Sequence, residues 1–435
     1  MSEWKKVKIG DICKIVKGTT GIASAEPGEY PLVVTAEERK TCSTYQFDCE
    51  AVCIPLVSSS GHGKKSLKNV HYQSGKFALG TILCAVIPNN PQELDARYLH
   101  QYLQFYKDII LVPLMKGAAN VSLSMKDIAT VEFSLPPIER QRELSNLFVS
   151  LQEKQKELSA EYEKQTEYAK LLRQNILQQA IEGKFTAAWR KQNPVQKGNP
   201  DYDTEALFEQ LQKGDVSPSL QPATQFSATP SAGSNAARNA RSKSLTPITE
   251  KEKPFEIPEG WKWVRLEEVT ITIGNKTNQI QTKEILEDGL VAVVSQGQEL
   301  IDGYSNETDK TIDDLPLIMF GDHTRNVKYI DFPFVIGADG TKFFKPICVN
   351  PKYLLYLVQF AAQKIRNRGY ARHYVLLKKI PLSLPPLKEQ EEIVNKVEIL
   401  LAKVTTLENQ IQYRKSLSDK LIFGIIKENL EGKKC

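Results

Sequence analysis

Two long segments of the chain repeat apolar residues at alternating spacings of four and three positions. One stripe runs from Leu144 to Ile176, and the other runs from Ile393 to Ile425, 249 residues further along the chain. This spacing is typical of the a and d positions of a left-handed coiled coil. The common register predicts that the two stripes pack against each other. The predicted packing residues are Leu144, Phe148, Leu151, Leu158, Leu172, Ile176, Ile393, Val397, Leu400, Leu407, Leu421 and Ile425.

Both predicted helices are flanked by the same signals. The stretch Phe133–Gln141, with the sequence FSLPPIERQ, recurs at Leu382–Gln390 as LSLPPLKEQ, and Glu182-Gly183-Lys184 recurs as Glu431-Gly432-Lys433. Proline is tolerated at the beginning of a helix, and glycine favours its end. The alternative is two unrelated amphipathic helices lying on separate domains, which the strict common register disfavours. The repeat therefore predicts two helices whose length is held constant.

The sequence ahead of each helix is also repeated, though more weakly. The segment 4–12 parallels the segment 261–269, and apolar runs such as those at 51–57 and 332–336 predict strands. The predicted fold class is α+β: two similar mixed α/β domains, separated by two long helices that pair as an antiparallel coiled coil in an internal pseudo-twofold repeat. The predicted boundaries are 1–135 for the first domain, 136–186 for the first helix, 187–257 for a linker, 258–384 for the second domain and 385–435 for the second helix.

The region between the two copies has a different composition. From Asn193 to Pro258 the chain is rich in Pro, Ser, Ala, Gln and Thr. Such a segment buries too little apolar surface to fold alone. The sequence therefore predicts a mobile linker, interrupted by one short helix near Thr204–Lys213.

Composition places these domains in a globular protein. The chain has 435 residues, of which 41% are hydrophobic and 25% are charged, and its net charge is only +5. That length suits two to four domains. No apolar run approaches the roughly 18 residues that span a bilayer, and the first residues lack the apolar core of a secretion signal. Seven scattered cysteines do not resemble a disulfide framework. We therefore expect reduced thiols in a cytoplasmic protein.

Each copy contains a basic stretch without acidic residues, at 51–92 and at 361–387. Lysine, hydroxyl and glycine groups suit phosphate oxygens, and arginine suits the edge of guanine. A solvated basic surface is the alternative, but one such stretch in each copy favours nucleic acid. The predicted DNA-binding residues, including the turn that contains His323, are His62, Lys64, Lys65, Lys68, Lys76, His323, Arg325, Lys364, Arg366, Arg368 and Arg372.

Motifs for catalysis do not fit this chain. None of its Asn-Pro pairs continues as the Asn/Asp-Pro-Pro-aromatic motif of an amino-methyltransferase. The stretch Ser58–Lys65 lacks the first glycine and the Ser/Thr of a phosphate-binding P-loop. Cys49 and Cys53 lack a second ligand pair at zinc spacing. We predict no catalytic residue, no metal site and no cofactor in this chain.

The ordered duplication of Leu-Pro-Pro, the Gln five residues after the first proline and the final Glu-Gly-Lys resembles the specificity (S) subunits of type I restriction–modification enzymes. The segment that leads into the second copy, Pro254–Leu266, strengthens the resemblance. The resemblance implies two target-recognition domains that each read one half of a split double-stranded DNA sequence. It also implies a non-catalytic subunit that binds two methyltransferase subunits and, where present, two restriction subunits. Those partners would use S-adenosylmethionine, ATP and Mg²⁺.

Two other functions stay open from the residues alone. One is an architectural coiled-coil adaptor whose basic patches bind acidic proteins. The other is a standalone DNA-binding nuclease with an unrecognised active site. Salt-dependent, sequence-specific binding to duplex DNA would argue against the adaptor, and metal-dependent cleavage by the purified chain would indicate the nuclease.

Overall fold

The structure, a computed structural model, describes residues 4–60, 63–213, 247–274, 276–337, 340–369 and 371–431. The chain divides into two compact units. The first unit comprises Met1–Lys164 with Ile411–Cys435, and the second unit comprises Gln165–Gln410. Each unit therefore contains one domain and a part of both long helices. Among the described helices, none has the length and apolar character needed to cross a membrane.

The elements are numbered along the chain. In the described residues the strands are β1 (Lys5–Lys8), β2 (Cys13–Lys17), β3 (Tyr30–Val33), β4 (Lys40–Cys42), β5 (Phe47–Asp48), β6 (Ala51–Pro55), β7 (His71–Gln73), β8 (Lys76–Leu79), β9 (Leu83–Pro88), β10 (Glu132–Leu135), β11 (Lys262–Val264), β12 (Thr270–Ile273), β13 (Val291–Val294), β14 (Gly303–Ser305), β15 (Leu317–Gly321), β16 (Val327–Ile330), β17 (Phe334–Ile336), β18 (Thr341–Pro346) and β19 (Leu382–Leu384). The α-helices are α1 (Ile9–Ile12), α2 (Ala96–Ile110), α3 (Met125–Ala129), α4 (Ile138–Ile181), α5 (Ala187–Gln192), α6 (Thr204–Lys213), α7 (Leu266–Val269), α8 (Pro351–Lys364), α9 (Tyr374–Leu377) and α10 (Leu387–Leu430).

The first unit is built on an antiparallel sheet with the strand order β2-β9-β6-β7. Side chains alternate between its two faces, as they must on a strand. Val52 and Val86 join a core that includes α2 and the first turns of α4, whereas Cys53 and Ala85 join a second core with β8. Both faces are thus covered, which explains the apolar run at 51–57. A second sheet, β4-β3-β8-β5, contains the parallel pair β3 and β8.

The second unit repeats this topology. Its sheet has the order β12-β18-β15-β16, and its other sheet, β14-β13-β17, contains the parallel pair β13 and β17. Ile318 and Phe320 join the core under α8, while Leu317 and Met319 face the other core. The first and last strands of each domain also pair, β1 with β10 and β11 with β19. The α+β fold with an internal repeat, predicted from the sequence, is confirmed.

The two long helices have the same length. Both contain 44 residues, and both ends of α10 lie 249 positions after those of α4. In the first unit Tyr162 and Ser418 share a hydroxyl hydrogen bond of 2.8 Å, and Arg140 donates to Asn429 at 2.9 Å. As the residue number rises along α4 it falls along α10, so the helices run antiparallel there. In the second unit, the Arg173 guanidinium likewise binds the Glu408 carboxylate, at 2.6 Å and 2.9 Å.

The predicted a and d positions are not buried along the whole of each long helix. Leu172, Leu407 and Leu421 are 44%, 47% and 62% exposed, so the predicted packing is wrong at these three positions. An α-helix has 3.6 residues per turn and drifts by about 20° per heptad away from a 3.5-residue repeat. Arg173 therefore replaces Leu172 at the interface. Of the other predicted residues, Leu144, Phe148, Ile176, Ile393 and Val397 are buried, and Leu151, Leu158, Leu400 and Ile425 are half-buried.

A buried glutamine attaches α4 to the first domain. The Gln141 side chain accepts a hydrogen bond from the backbone N–H of Asp95 at 2.8 Å, and it donates to the carbonyl oxygens of Pro136 at 2.8 Å and Glu93 at 2.9 Å. Asp95 in turn caps the N-terminus of α2. The conformation of the Leu-Pro-Pro turn, the beginning of α4 and the beginning of α2 are thus fixed by one amide.

The second unit contains the same junction. Gln390 accepts from the backbone N–H of Asn350 at 2.6 Å and donates to the Pro385 carbonyl at 2.9 Å. Asn350 is the N-cap of α8, as Asp95 is of α2. The glutamine of the repeated motif therefore has a structural role in both units.

A buried carboxylate holds the end of α4 in the second unit. Glu389 accepts hydrogen bonds from Thr186 at 2.6 Å, from Arg190 at 2.5 Å and from the indole N–H of Trp261 at 2.7 Å. Gly183 ends the helix with a positive φ of 69°, a conformation that favours glycine. This contact joins the end of α4, the beginning of α10 and the beginning of the second domain.

The chain after α4 is folded onto the second unit. Leu207 on α6 is buried, Tyr202 stacks on Trp189 with ring centroids 6.2 Å apart, and the Thr204 hydroxyl donates to the Leu384 carbonyl at 3.3 Å. The short helix predicted here is confirmed, but the mobile linker is wrong for this part of the chain. The composition of the whole region concealed a few large apolar residues at its beginning. Residues 214–246, the middle of the predicted linker, lie outside the described residues.

The glutamine junction makes a prediction about stability. Gln390→Ala leaves the buried N–H of Asn350 and the carbonyl of Pro385 without their partner, which should lower the free energy of unfolding by about 1–3 kcal/mol. Urea denaturation measures the loss, and amide hydrogen exchange should locate it in the second unit. Glu391→Ala, which removes only an exposed ion pair with Lys388, is the matched control and should cost less than about 1 kcal/mol. Equal losses in both variants would contradict this role.

Candidate nucleic-acid interface

Most of the basic residues predicted from the sequence fall on two loops that have equivalent positions in the two units. The hairpin loop of the first unit connects β6 to β7 and comprises 56–70. The hairpin loop of the second unit connects β15 to β16 and comprises 322–326. We call the chain that follows α2 or α8 the helix loop; it comprises 111–124 and 365–373. The strands and helices that carry these loops are topologically equivalent in the two units.

In the first unit the two loops are joined by backbone hydrogen bonds. Ser58 N–H donates to the Val121 carbonyl at 3.0 Å, and Leu123 N–H donates to the Leu56 carbonyl at 2.9 Å. Further along, Gly63 N–H donates to the helix loop at 3.4 Å. The hairpin loop and the helix loop therefore form one surface.

The second unit joins its two loops in the same place. The His373 N–H donates to the Asp322 carbonyl at 2.9 Å, which joins the end of the helix loop to the beginning of the hairpin loop, as the bond between Leu123 and Leu56 does in the first unit. The Asp322 carboxylate accepts from the Tyr374 N–H at 2.6 Å. Each unit thus presents one composite surface built from two loops.

Lysine ammonium groups are exposed on the first surface. Lys64, Lys65 and Lys68 are exposed, and in the described part of the chain no ion pair involves them. The loop serines are used internally: the Ser58 hydroxyl donates to the Lys64 carbonyl at 2.5 Å, and that of Ser59 accepts from the Lys68 N–H at 3.0 Å. These hydroxyl groups shape the loop, while the ammonium groups face solvent. His62 lies outside the described residues.

Two of the predicted lysines lie elsewhere or at the margin. Lys76 belongs to β8, in the other sheet, where its ammonium group lies 5.0 Å from the centre of the Tyr45 ring. The structure therefore does not place Lys76 on the hairpin loop, although the acid-free stretch had grouped it there. Lys364 ends α8 and lies over the Phe360 ring at 4.9 Å, next to the helix loop.

Arginine dominates the second surface. Arg366, Arg368 and Arg372 are exposed on the helix loop. Arg325 has a different environment, because its Nη1 donates to the Ile365 carbonyl at 2.9 Å and its φ is 62°. A non-glycine residue in this region is strained. Arg325 thus braces the hairpin loop against the helix loop, and part of its guanidinium is already used. His323 is half-buried beside it.

A third loop, which the sequence analysis missed, contacts the hairpin loop of the second unit. This strand loop, 295–302, follows β13. Its Gln296 side chain accepts from the His323 N–H at 3.2 Å, and its backbone carbonyl accepts from Asn326 Nδ2 at 2.9 Å. The strand loop contains Glu299 and Asp302, so a search for basic stretches could not find it. The glutamine side chains of this loop could have indicated it, because glutamine and asparagine can form paired hydrogen bonds with adenine.

The strand loop of the first unit, 34–39, is held by a buried histidine. His71 on β7 is buried, and its Nδ1 lies 3.1 Å from Nη1 of Arg39. A guanidinium can only donate, so Nδ1 accepts. Burial first, and the charge of Arg39 second, lower the pKa of His71 to about 4. The neutral imidazole therefore fixes Arg39 against β7.

The cysteines of the first unit's central sheet are buried. Burial raises the pKa of Cys13 and Cys84 to about 12 and that of Cys53 further, so these thiols stay protonated at neutral pH. Among the described residues no group of three or more His, Cys, Asp or Glu side chains could hold a metal ion. The surfaces offer hydrogen-bond donors and positive charge.

Comparison with known proteins agrees with this arrangement. The family model described as "type I restriction modification DNA specificity domain" matches residues 1–167 and 258–414, once for each copy of the repeat. The chain belongs to this family. It is a specificity subunit of the type I restriction–modification class, as the repeated motifs predicted.

Two relatives illustrate the similarity. The chain is 24% identical over 456 residues to the type I restriction enzyme EcoDI specificity subunit of Escherichia coli, covering 99% of this chain and 88% of that protein. It also resembles a solved chain from work on the complex assembly and conformational transition of the type I R-M system. That similarity has a TM-score of 0.58, at 14% identity, over 100% of this chain and 99% of the other; it shows a shared fold.

The lowered pKa of His71 makes the stability of the first unit depend on pH. The unfolded chain takes up a proton below a pKa of about 6.5, whereas the folded chain keeps the imidazole neutral down to about 4. Folding is therefore penalised progressively as the pH falls from about 6.5 to about 4. We expect His71→Gln, which cannot titrate, to lose less stability over this interval. Urea unfolding of both chains at pH 7, 5.5 and 4.5 measures the difference, and parallel curves would refute it.

Proposed function

We propose that the chain reads a bipartite double-stranded DNA target, one half with each unit, and directs methylation and restriction of that DNA by partner subunits. One observation supports this most strongly: each unit carries exposed basic side chains on a composite surface built from the hairpin loop and the helix loop. A duplicated surface suits two half-sites. The proposed setting is the cytoplasm.

The two surfaces are proposed to recognise their half-sites differently. The exposed ammonium groups of Lys64, Lys65 and Lys68 suit phosphate oxygens, which position a protein on DNA without reading sequence. The guanidinium groups of Arg366, Arg368 and Arg372 can form paired hydrogen bonds with guanine. The two units would then differ in the balance between phosphate and base contacts.

We propose that this chain contributes recognition and that its partners contribute the chemistry. In this arrangement the methyltransferase subunits use S-adenosylmethionine, and the restriction subunits use ATP and Mg²⁺. The exposed lysine and arginine side chains of these surfaces support the division, because they are donors suited to phosphates and bases.

Repeated apolar pairs on the long helices support two copies of the same partner. Tyr168 and Leu172 are 61% and 44% exposed on α4, one helical turn apart. The residues 249 positions later, Leu417 and Leu421, are 51% and 62% exposed on α10. Exposed apolar side chains that recur at equivalent positions suit equivalent contacts. We propose that each pair contacts one methyltransferase subunit, and that two such subunits bind.

Separate reading of the half-sites predicts separate mutational effects. In the complex with its methyltransferase subunits, Lys65→Ala should weaken binding to every sequence and lower the slope of log K against log salt by about one unit. Arg366→Ala should cost about 1–3 kcal/mol at one base pair of one half-site only. Filter binding across a salt series, together with methylation maps, measures both effects. If Arg366→Ala relaxed base preference in both half-sites, the proposed division would be wrong.

The proposed docking pairs predict changes in stoichiometry. Tyr168→Glu and Leu417→Glu occupy equivalent positions, so each should leave one methyltransferase subunit bound, and the double variant should bind none. Native mass spectrometry of the complexes measures this. Gln412→Glu, on another exposed face of α10, is the control and should still bind two. A double variant that keeps both subunits would show that the partners dock elsewhere.

A further inference from the structure

His373 connects the two loops of the second surface through its ring as well as its backbone. The side chain is completely buried at the end of the helix loop. Its Nδ1 lies 2.9 Å from the Asp322 carbonyl of the hairpin loop, and its Nε2 lies 3.3 Å from the backbone nitrogen of Arg368. The imidazole therefore lies between the hairpin turn and the arginine-bearing segment.

The partners of His373 determine which ring nitrogen carries the proton. The Asp322 carbonyl can only accept a hydrogen bond, so Nδ1 must donate. The Arg368 N–H can only donate, so Nε2 must accept. One neutral tautomer satisfies both contacts. The two ring contacts differ in importance. Without the contact of Nδ1, the Asp322 carbonyl would still accept from the backbone N–H of His373 at 2.9 Å. The contact with the Arg368 N–H depends on Nε2.

The equivalent position of the first unit has a different role. Residue 124, which lies 249 positions before His373, is a serine whose hydroxyl accepts from the Asp127 N–H at 3.0 Å and so caps its own short helix α3. His373 is the N-cap of α9 but makes no such side-chain bond. At this position the second unit uses the side chain to join loops, where the first uses it to cap a helix.

We propose that His373 is a positioning residue for base recognition by the second unit, which rests on the proposed function of that surface. Through Nε2 it holds the backbone at Arg368, and thereby sets where Arg366 and Arg368 project. An arginine that reads a base edge must be placed to within a fraction of an ångström for two parallel hydrogen bonds. His373 thus affects specificity without touching DNA.

Two substitutions separate the two ring contacts. The Asn side chain can place a donor near the position of Nδ1, so His373→Asn keeps the bond to Asp322 and loses the acceptor for Arg368. The longer Gln side chain can place an acceptor near the position of Nε2, so His373→Gln keeps the contact with Arg368. Methylation by the complete complex is then compared on the cognate target and on targets with one mismatch in either half-site.

We expect His373→Asn to lower the discrimination against mismatches in the second unit's half-site by ~5-fold or more, the lower end for one paired arginine–base contact. Discrimination in the other half-site should stay unchanged, and His373→Gln should restore the wild-type preference. A general structural defect would instead reduce methylation of all targets together. Wild-type discrimination in His373→Asn, or equal loss in both half-sites, would overturn the proposal.

Two further results decide between this inference and the function on which it rests. If Arg366→Ala and Arg368→Ala leave both half-site preferences unchanged, the helix loop does not read DNA and the proposed function of this surface is wrong. If these arginine variants relax one half-site while His373→Asn does not, only the positioning role is wrong. Failure of either histidine variant to form a folded complex would also overturn it, because His373 would then sustain the fold itself.

Discussion

One buried amide at the beginning of each long helix is the contact on which the rest of each unit depends. Gln141 and Gln390 bind only backbone groups, and they link the proline turn, the long helix and the capped helix of the domain. Because backbone groups are supplied by any residue, these contacts do not depend on which side chains the partner residues carry. That explains how two copies keep the same geometry while sharing little sequence beyond the motif.

The two units share the same sheet topology and the same glutamine junction, but they differ in the residues that pack around that junction. In the second unit the buried carboxylate of Glu389 gathers Thr186, Arg190 and Trp261. The corresponding residue of the first unit is Arg140, which binds Asn429 on α10. The segment that contains α5 and α6 follows the first long helix and packs on the second unit. The duplicated chain therefore has one unit with an additional layer, built from residues that composition alone assigned to a linker.

Local signals in the sequence were sufficient for the fold. The heptad spacing, the prolines and the glycine at 183 act within a few residues, and they predicted helices with the observed common offset. The position of Arg173 at the helix interface in place of Leu172 could not be predicted, because it depends on how the helix drifts against its neighbour. The site was predicted less completely, since charge along the chain cannot show that Arg325 braces a loop or that Lys76 belongs to another sheet. Contacts between distant loops, such as those of Gln296, have no local signal.

The central strands β6 and β15 are apolar and buried on both faces, and this has an evolutionary consequence. A charged residue on β6 or β15 would be buried without a partner, at a large cost in stability. The hairpin loops carry exposed side chains and differ in length, with 56–70 in one unit and 322–326 in the other, between equivalent strands. If these loops recognise DNA as proposed, substitutions at their exposed positions can change recognition at a smaller cost in folding free energy than charged substitutions in the strands. Such a protein can acquire a new preference without passing through an unstable intermediate.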